Sequence, residues 1–272
     1  MNCIFCKGNS DASVSVEHII PESLGNKSHI LERGIVCDKC NNYFAHKIEK
    51  EVLDLPYFKS LRHRTYIPSK KGKIPRHSAF VDHPRNGKVE IIQNIGNLIE
   101  VSVENEEIFN LVSTQKIKEL YIPMFPLPPN DSIFLSRFLG KLALEALADR
   151  VKIVDGWNKD FIEHEGLDDL RNYVRFGEGN FWLYNVRRVY GENETFKEKK
   201  NNENLEKYQM LHEYDFLYID SKYLFFICTI MGVEYAINMA ESQLTQYIAW
   251  LKSNNKQSPL HDEYQLKKAT NA

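Results

Sequence analysis

The sequence predicts an α+β protein in two parts. A small N-terminal module, ordered strand, loop, strand, helix, precedes a larger α+β domain with a mostly antiparallel sheet. Three observations carry this. Two Cys-x-x-Cys pairs, Cys3/Cys6 and Cys37/Cys40, bracket a thirty-residue interval. Ser132 to Val151 reads as one helix with an unusually wide apolar surface, which belongs inside a core. The β-rich runs that follow lie close enough in sequence for antiparallel pairing.

Within the module, Ser13 to Glu17 alternates polar and apolar residues, the pattern of a half-buried strand that Pro21 stops. Leu24-Gly25-Asn26 reads as a loop, and His29 to Val36 as a second strand with a possible bulge at Gly34. Phe44, Ile48 and Val52 then form one stripe of a helix that Pro56 is expected to terminate. Lys59 to Val81 holds seven Lys or Arg residues and no Asp or Glu, which suits either phosphate contact or a solvated connector. The expected boundaries are therefore 1–58 for the module, 59–80 for a basic connector and 81–272 for the larger domain.

In that domain, 88–92 and 98–103 read as strands around an Asn-Ile-Gly-Asn turn, 105–120 as a helix and 123–129 as a proline-rich elbow. Phe134, Phe138 and Leu142 line one stripe of the long helix. A further helix around Leu167 to Val174 ends at Gly177. Strands are expected at 181–190, 214–219, 223–231 and 233–238, an exposed loop at 192–207, and a last helix near 243–252 before a polar tail.

Composition is that of an ordinary globular chain, with 43% hydrophobic and 26% charged residues. A net charge of −2 excludes a global positive field, so any nucleic-acid surface must be local. The most apolar run, Tyr223 to Met231, is too short to span a bilayer. No basic and apolar leader precedes Cys3, and the cysteines are paired at metal spacing. Both features predict a cytoplasmic protein in a reducing compartment. Cys228, isolated in an apolar run, reads as a core residue.

The chemistry concentrates in the first fifty residues. Four thiolates at this spacing satisfy tetrahedral zinc in a structural role. Between them, His18 follows Glu17, and Asn41 opens the helix after Cys40. Phosphodiester hydrolysis needs a base for water and a cation beside the phosphate. Neutral imidazole suits the first task, so His18 is the candidate general base. A carboxylate and an amide oxygen suit a hard ion, so Glu17 and Asn41 are candidate ligands of Mg²⁺ or Mn²⁺.

Cys-Ile-Phe-Cys, Val-Glu-His-Ile-Ile-Pro-Glu-Ser-Leu-Gly and Val-Cys-Asp-Lys-Cys-Asn-Asn, in that order, resemble the HNH endonuclease family in its zinc-knuckle-supported form. The resemblance implies a ββα-metal fold, His18 as catalytic base, Glu17 at the acidic ligand position and Asn41 as the motif's last H or N. Its middle residue, which braces the loop between the strands, has Asn26, His29 and Glu32 as candidates. DNA is the expected substrate. The site reads phosphates rather than bases, so RNA stays open beside it. One such site cuts one strand, and a double-strand break would take a homodimer or two nicks. Family members often sit in restriction or anti-phage systems, which suggests a defence role. The competing reading is a non-catalytic zinc module that binds nucleic acid or protein.

Several residues are weighed as structural instead. His46 is close enough on the motif helix to approach the ion but reads as an exposed helix residue; Glu49 reads equally as the acidic position of a related subgroup or as a partner of Lys47 or Lys50 on a solvated face. Arg137 and Lys141, at i and i+4, read as side chains snorkelling from a core helix. Trp182, Tyr184 and Tyr190 read as strand core rather than a base-stacking platform.

Overall fold

A computed structural model describes residues 1–82, 87–94, 98–192, 194–200, 204–209 and 211–261. The Asn-Ile-Gly-Asn turn lies partly, and the polar tail mostly, outside them. Helices and antiparallel sheets are mixed, as the predicted class requires. In chain order the elements are α1 (Asp38–Phe44), a π-helical turn (Ala45–Glu49), α2 (Lys50–Asp54), α3 (Pro56–Arg64), β1 (His77–Phe80), β2 (Lys88–Asn94), β3 (Leu98–Ser102), α4 (Glu106–Ser113), α5 (Ile133–Val151), α6 (Trp157–Glu163), α7 (Asp168–Phe176), β4 (Tyr184–Arg188), β5 (Phe196–Lys200), β6 (Asn204–Tyr208), β7 (His212–Ile219), β8 (Tyr223–Ile230), β9 (Val233–Asn238) and α8 (Thr245–Ser253).

The contacts divide the chain into two units. One joins Met1–Pro21, Asn26–Val52 and Pro129–Ala272; the other joins Glu22–Gly25 to Leu53–Pro128. The cysteine-bracketed segment thus shares its unit with the C-terminal half.

In the first unit the sheet order is β4-β9-β8-β7, all antiparallel. Met231 and Gly232, both at positive φ, make the tight β8–β9 turn whose twist suits a hairpin. Alternation splits β8 between two covered faces. Phe225 and Ile227 pack with Tyr247 and Leu251 of α8, while Phe226 meets Phe216 and Tyr214. At that second face, Arg150 of α5 lies over the Phe216 ring. Burial on both faces explains the unbroken apolar run of β8. Helix α5 is capped by the Ser132 hydroxyl, which accepts from the Leu135 N–H. Its middle, residues 138–146, is buried all round. Gly140 sits where it crosses α7: a Cβ there would stand 2.5 Å from a Val174 methyl.

The second unit holds α3, a β1-β2-β3 antiparallel sheet and α4, around Ala79, Val81, Val89, Ile91 and Ile108.

Several expected elements are corrected. No regular strand forms over 13–17 or 29–36; a single bridge, His18 to Ile30, replaces the pair. The first segment is extended, but its Val14 and Ser15 amides are taken by the Asp38 carboxylate instead of a neighbouring strand. Gly34, at φ +88, closes a turn that delivers Cys37 to the start of α1. Pro56 does not merely stop a helix but opens the next, where its missing N–H and fixed φ are harmless. Helix α4 ends at Ser113, because Gln115 turns left-handed. The expected loop at 192–207 contains the β5–β6 hairpin. Among the described residues, no helix is long and apolar enough to cross a membrane.

Much of the basic stretch is satisfied within the second unit. Lys59 pairs with Asp54 at 3.1 Å, Arg76 with Glu90 at 2.9 Å, and Arg64 donates to Ser60. Arg62 is buried, and burial pushes its guanidinium down. Lys70, Lys71 and Lys73 stand exposed on the turn before β1.

Candidate functional site

The first knuckle is a tight turn. The Cys3 carbonyl accepts from the Lys7 N–H at 2.9 Å, and Lys7 takes a left-handed conformation. The second pair opens α1: the Cys37 sulfur accepts from the Cys40 N–H at 3.4 Å, so Cys-x-x-Cys here also caps a helix. All five cysteines are free thiols. The sulfurs of Cys3, Cys6, Cys37 and Cys40 lie within 4.8 Å of one another. Cys6 and Cys37 are 3.7 Å apart. A tetrahedron with zinc–sulfur bonds near 2.3 Å has edges of about 3.8 Å, so these residues fit zinc. Hydrogen bonding with Cys40 holds the Cys3 thiol down at about 5, and the same contact with burial pushes Cys40 up.

Helix α7 grips this knuckle along one face. Asp168 pairs with Lys7 at 2.7 Å, Arg171 Nε donates to the Ile4 carbonyl at 3.0 Å, and Arg175 Nε donates to the Cys40 sulfur at 3.2 Å. The three residues follow an i, i+3, i+7 spacing, which places them on one side of a helix.

Between the knuckles, Asn26 is almost wholly buried. Its amide donates to the carbonyls of Ile20 at 2.6 Å and His29 at 3.1 Å, and its oxygen accepts from the Ser28 and His29 N–H groups at 3.0 Å. Of the three candidates for the loop brace, Asn26 does the bracing. His29 packs its ring against Tyr214, and Glu32 pairs with Lys152 at 3.6 Å. The braced loop aligns two chain segments: Ile19 N–H donates to the His29 carbonyl at 3.0 Å, and Leu31 N–H to the Glu17 carbonyl at 2.9 Å. His18 lies between them, half-buried. From α1, the Asn41 amide donates to the Val16 carbonyl at 3.4 Å, one residue before Glu17. Asn41 is thereby tied to the backbone of the segment that leads into Glu17 and His18.

Sequence reasoning missed the partner of Glu17. Lys141 of α5, expected to snorkel, is completely buried, and its ammonium contacts Glu17 at 2.6 Å, Glu49 at 3.0 Å and Glu145 at 2.9 Å. Its i, i+4 spacing to Glu145 was the available signal. Burial alone would lower the Lys141 pKa, but Glu145, Glu17 and Glu49 together hold it well above the ordinary lysine value. Burial pushes the Glu145 carboxyl well up, against the pull of Lys141. Of the two readings of Glu49, the pairing with Lys47 or Lys50 on a solvated face does not form; its carboxylate meets Lys141 instead. The π turn adds a residue to the helix, so Glu49 faces Lys141 while Phe44, Ile48 and Val52 all stay buried.

The other weighed residues are placed as follows. His46 is exposed on the π turn. Arg137 donates to the Tyr43 hydroxyl at 2.6 Å and the Val174 carbonyl at 2.9 Å. Trp182 donates to the Asn238 carbonyl at 2.6 Å and Tyr184 to the Pro129 carbonyl at 2.8 Å; with Tyr190 they are buried. Burial also pushes the Cys228 thiol up.

A knuckle of four thiols, a buried asparagine bracing a loop, and a helical asparagine bonded to the backbone just before a Glu-His pair occur here in one short segment. Residues 3–54 match the HNH endonuclease family model. Neither a curated protein nor a solved structure matches the chain. The HNH match ends where α2 ends, at Asp54, so it covers the knuckle, loop, α1 and π turn but none of α5 or α7. That HNH segment suggests nuclease activity and a nucleic-acid substrate, with four cysteines able to hold zinc.

Proposed function

We propose that the protein is a metal-dependent endonuclease that hydrolyses phosphodiester bonds of DNA. What supports this reading is the hydrogen bond from the Asn41 amide to the Val16 carbonyl, 25 residues away in sequence and next to Glu17, together with the loop braced by Asn26. In this reading zinc fills the four-cysteine site as a structural ion. Glu17 and Asn41 hold Mg²⁺ or Mn²⁺, which would supply positive charge to the scissile phosphate and the departing 3′ oxygen. His18, fixed through its backbone at the bridge to Ile30, takes the proton from the attacking water. Cleavage then leaves a 5′ phosphate. A role in restriction or anti-phage defence, and a homodimer for double-strand breaks, belong to the proposal on family resemblance alone.

One observation favours the second reading, a non-catalytic zinc module: Glu17 already has a structural partner in Lys141. Nicking of supercoiled plasmid separates the two. Purified protein with Mg²⁺ or Mn²⁺ is expected to relax the plasmid, and His18→Ala to lower the rate by about 10²–10⁴-fold while keeping its zinc. Equal rates for both proteins, or none with either ion, would support the binding module.

A further inference from the structure

We propose that Lys141 is a positioning residue of the HNH site: from α5 it holds Glu17, and through it the Glu17–Ile19 turn that carries His18, in the working place. This rests on the nuclease reading above. The residues concerned come from three stretches of chain, and only Lys141 and Glu145 are joined by a local spacing, i and i+4 on α5. Glu17 ends the first extended segment, Glu49 comes from the π turn, and Glu145 lies one turn along α5. The His18 carbonyl stands 3.5 Å from the Lys141 ammonium.

An ammonium has three protons, and three carboxylates surround this one. Were the cluster there only to fill the core, apolar side chains of similar volume would stabilise the fold as well or better. Instead the charge meets the motif's acidic residue at its shortest contact, 2.6 Å. A carboxylate that ligates a metal is commonly oriented by a hydrogen-bonding partner beyond it, and removal of such a partner weakens metal binding. Lys141 stands in that relation to Glu17. Residues 129–261, outside the HNH match, would therefore complete the site rather than merely accompany it.

The test uses the full chain with Lys141→Met and with Lys141→Met/Glu145→Met, which removes two of the buried charges together. Zinc content and thermal melting monitor the fold. Hydrogen exchange at the Ile19 and Leu31 amides reports the turn, and Mn²⁺ binding by electron paramagnetic resonance reports Glu17. In a folded variant with zinc retained, exchange at both amides is expected to speed up, and Mn²⁺ affinity to fall, by about tenfold or more, with α7 amides unchanged. Unchanged exchange and affinity would overturn the proposal. So would tighter Mn²⁺ binding, since Lys141 would then act as a competing charge. Loss of zinc and of cooperative melting in both variants would also overturn it, because the lysine would then hold the fold rather than the site. If Glu17→Gln binds Mn²⁺ as the parent does, the nuclease reading fails, and amide exchange alone decides the role of Lys141.

Discussion

Arg175 donates its Nε–H to the Cys40 sulfur at 3.2 Å while its guanidinium lies 4.0 Å from the centre of the Tyr43 ring. A zinc-bound thiolate at Cys40 would thus be met by a buried cation from an element 135 residues further along the chain. Such hydrogen bonds to a metal-bound sulfur slow release of the metal. Arg175→Met should keep the fold but release zinc to a chromogenic chelator about tenfold faster. Equal release rates would make the contact incidental.

Asn26→Ala should be among the most damaging single changes in the HNH segment. It strips partners from two carbonyls and two amides around the loop. Buried groups left unsatisfied cost about 1–3 kcal/mol each, with partial relief from water, so a loss of about 2–4 kcal/mol is expected. Denaturant titration measures it. Asn26→Asp should not rescue, because the carboxylate cannot donate to Ile20 and His29. A shift under about 0.5 kcal/mol would remove Asn26 from its bracing role.

In the C-terminal part of the same unit, Glu234 is completely buried on β9. It accepts from the Tyr247 hydroxyl at 2.7 Å, from Arg187 and from Ser258. This ties α8 and the chain after it to the sheet. Tyr247→Phe deletes one charge-assisted bond and should destabilise by about 1.5–3 kcal/mol, read from the shift in the urea midpoint.

The second unit should weaken in mild acid. His63 is buried, and its imidazole bonds through Nδ1 to the Pro75 carbonyl at 2.8 Å. Burial, more than any neighbour, pushes its pKa below the ordinary 6.5. The unfolded chain therefore binds the proton more readily. The contribution is fully present above about pH 6.5 and is lost as pH falls through the depressed value. Melting followed at amides of β1 to β3 should fall between pH 7 and 5, and His63→Gln should flatten that slope.

Much of this was legible in the residues. Cysteine spacing named a metal site, because four sulfurs must meet at fixed distances. The period of Phe134, Phe138 and Leu142 fixed α5, and β-rich runs separated by short turns fixed the antiparallel sheet. What stayed hidden depends on partners remote in sequence. The alternation in Ser13–Glu17 gave an extended backbone, but only Asp38, placed by the fold, decided that no strand pairs with it. Lys141 looked like a snorkelling side chain because nothing near it in sequence foretells Glu17 and Glu49. Glu49 stayed open between a site position and a solvated face, because the π turn that sets its phase has no compositional mark. Asn26 was one of three choices until its four hydrogen bonds were seen.

The grip of α7 on the first knuckle spans 167 residues from Ile4 to Arg171. A ribosome adding amino acids in order therefore exposes the cysteines, the histidine and both asparagines long before their scaffold exists. Any cutting ability would wait until α7 has emerged, and a prematurely stopped product would carry the motif without the helices that steady it.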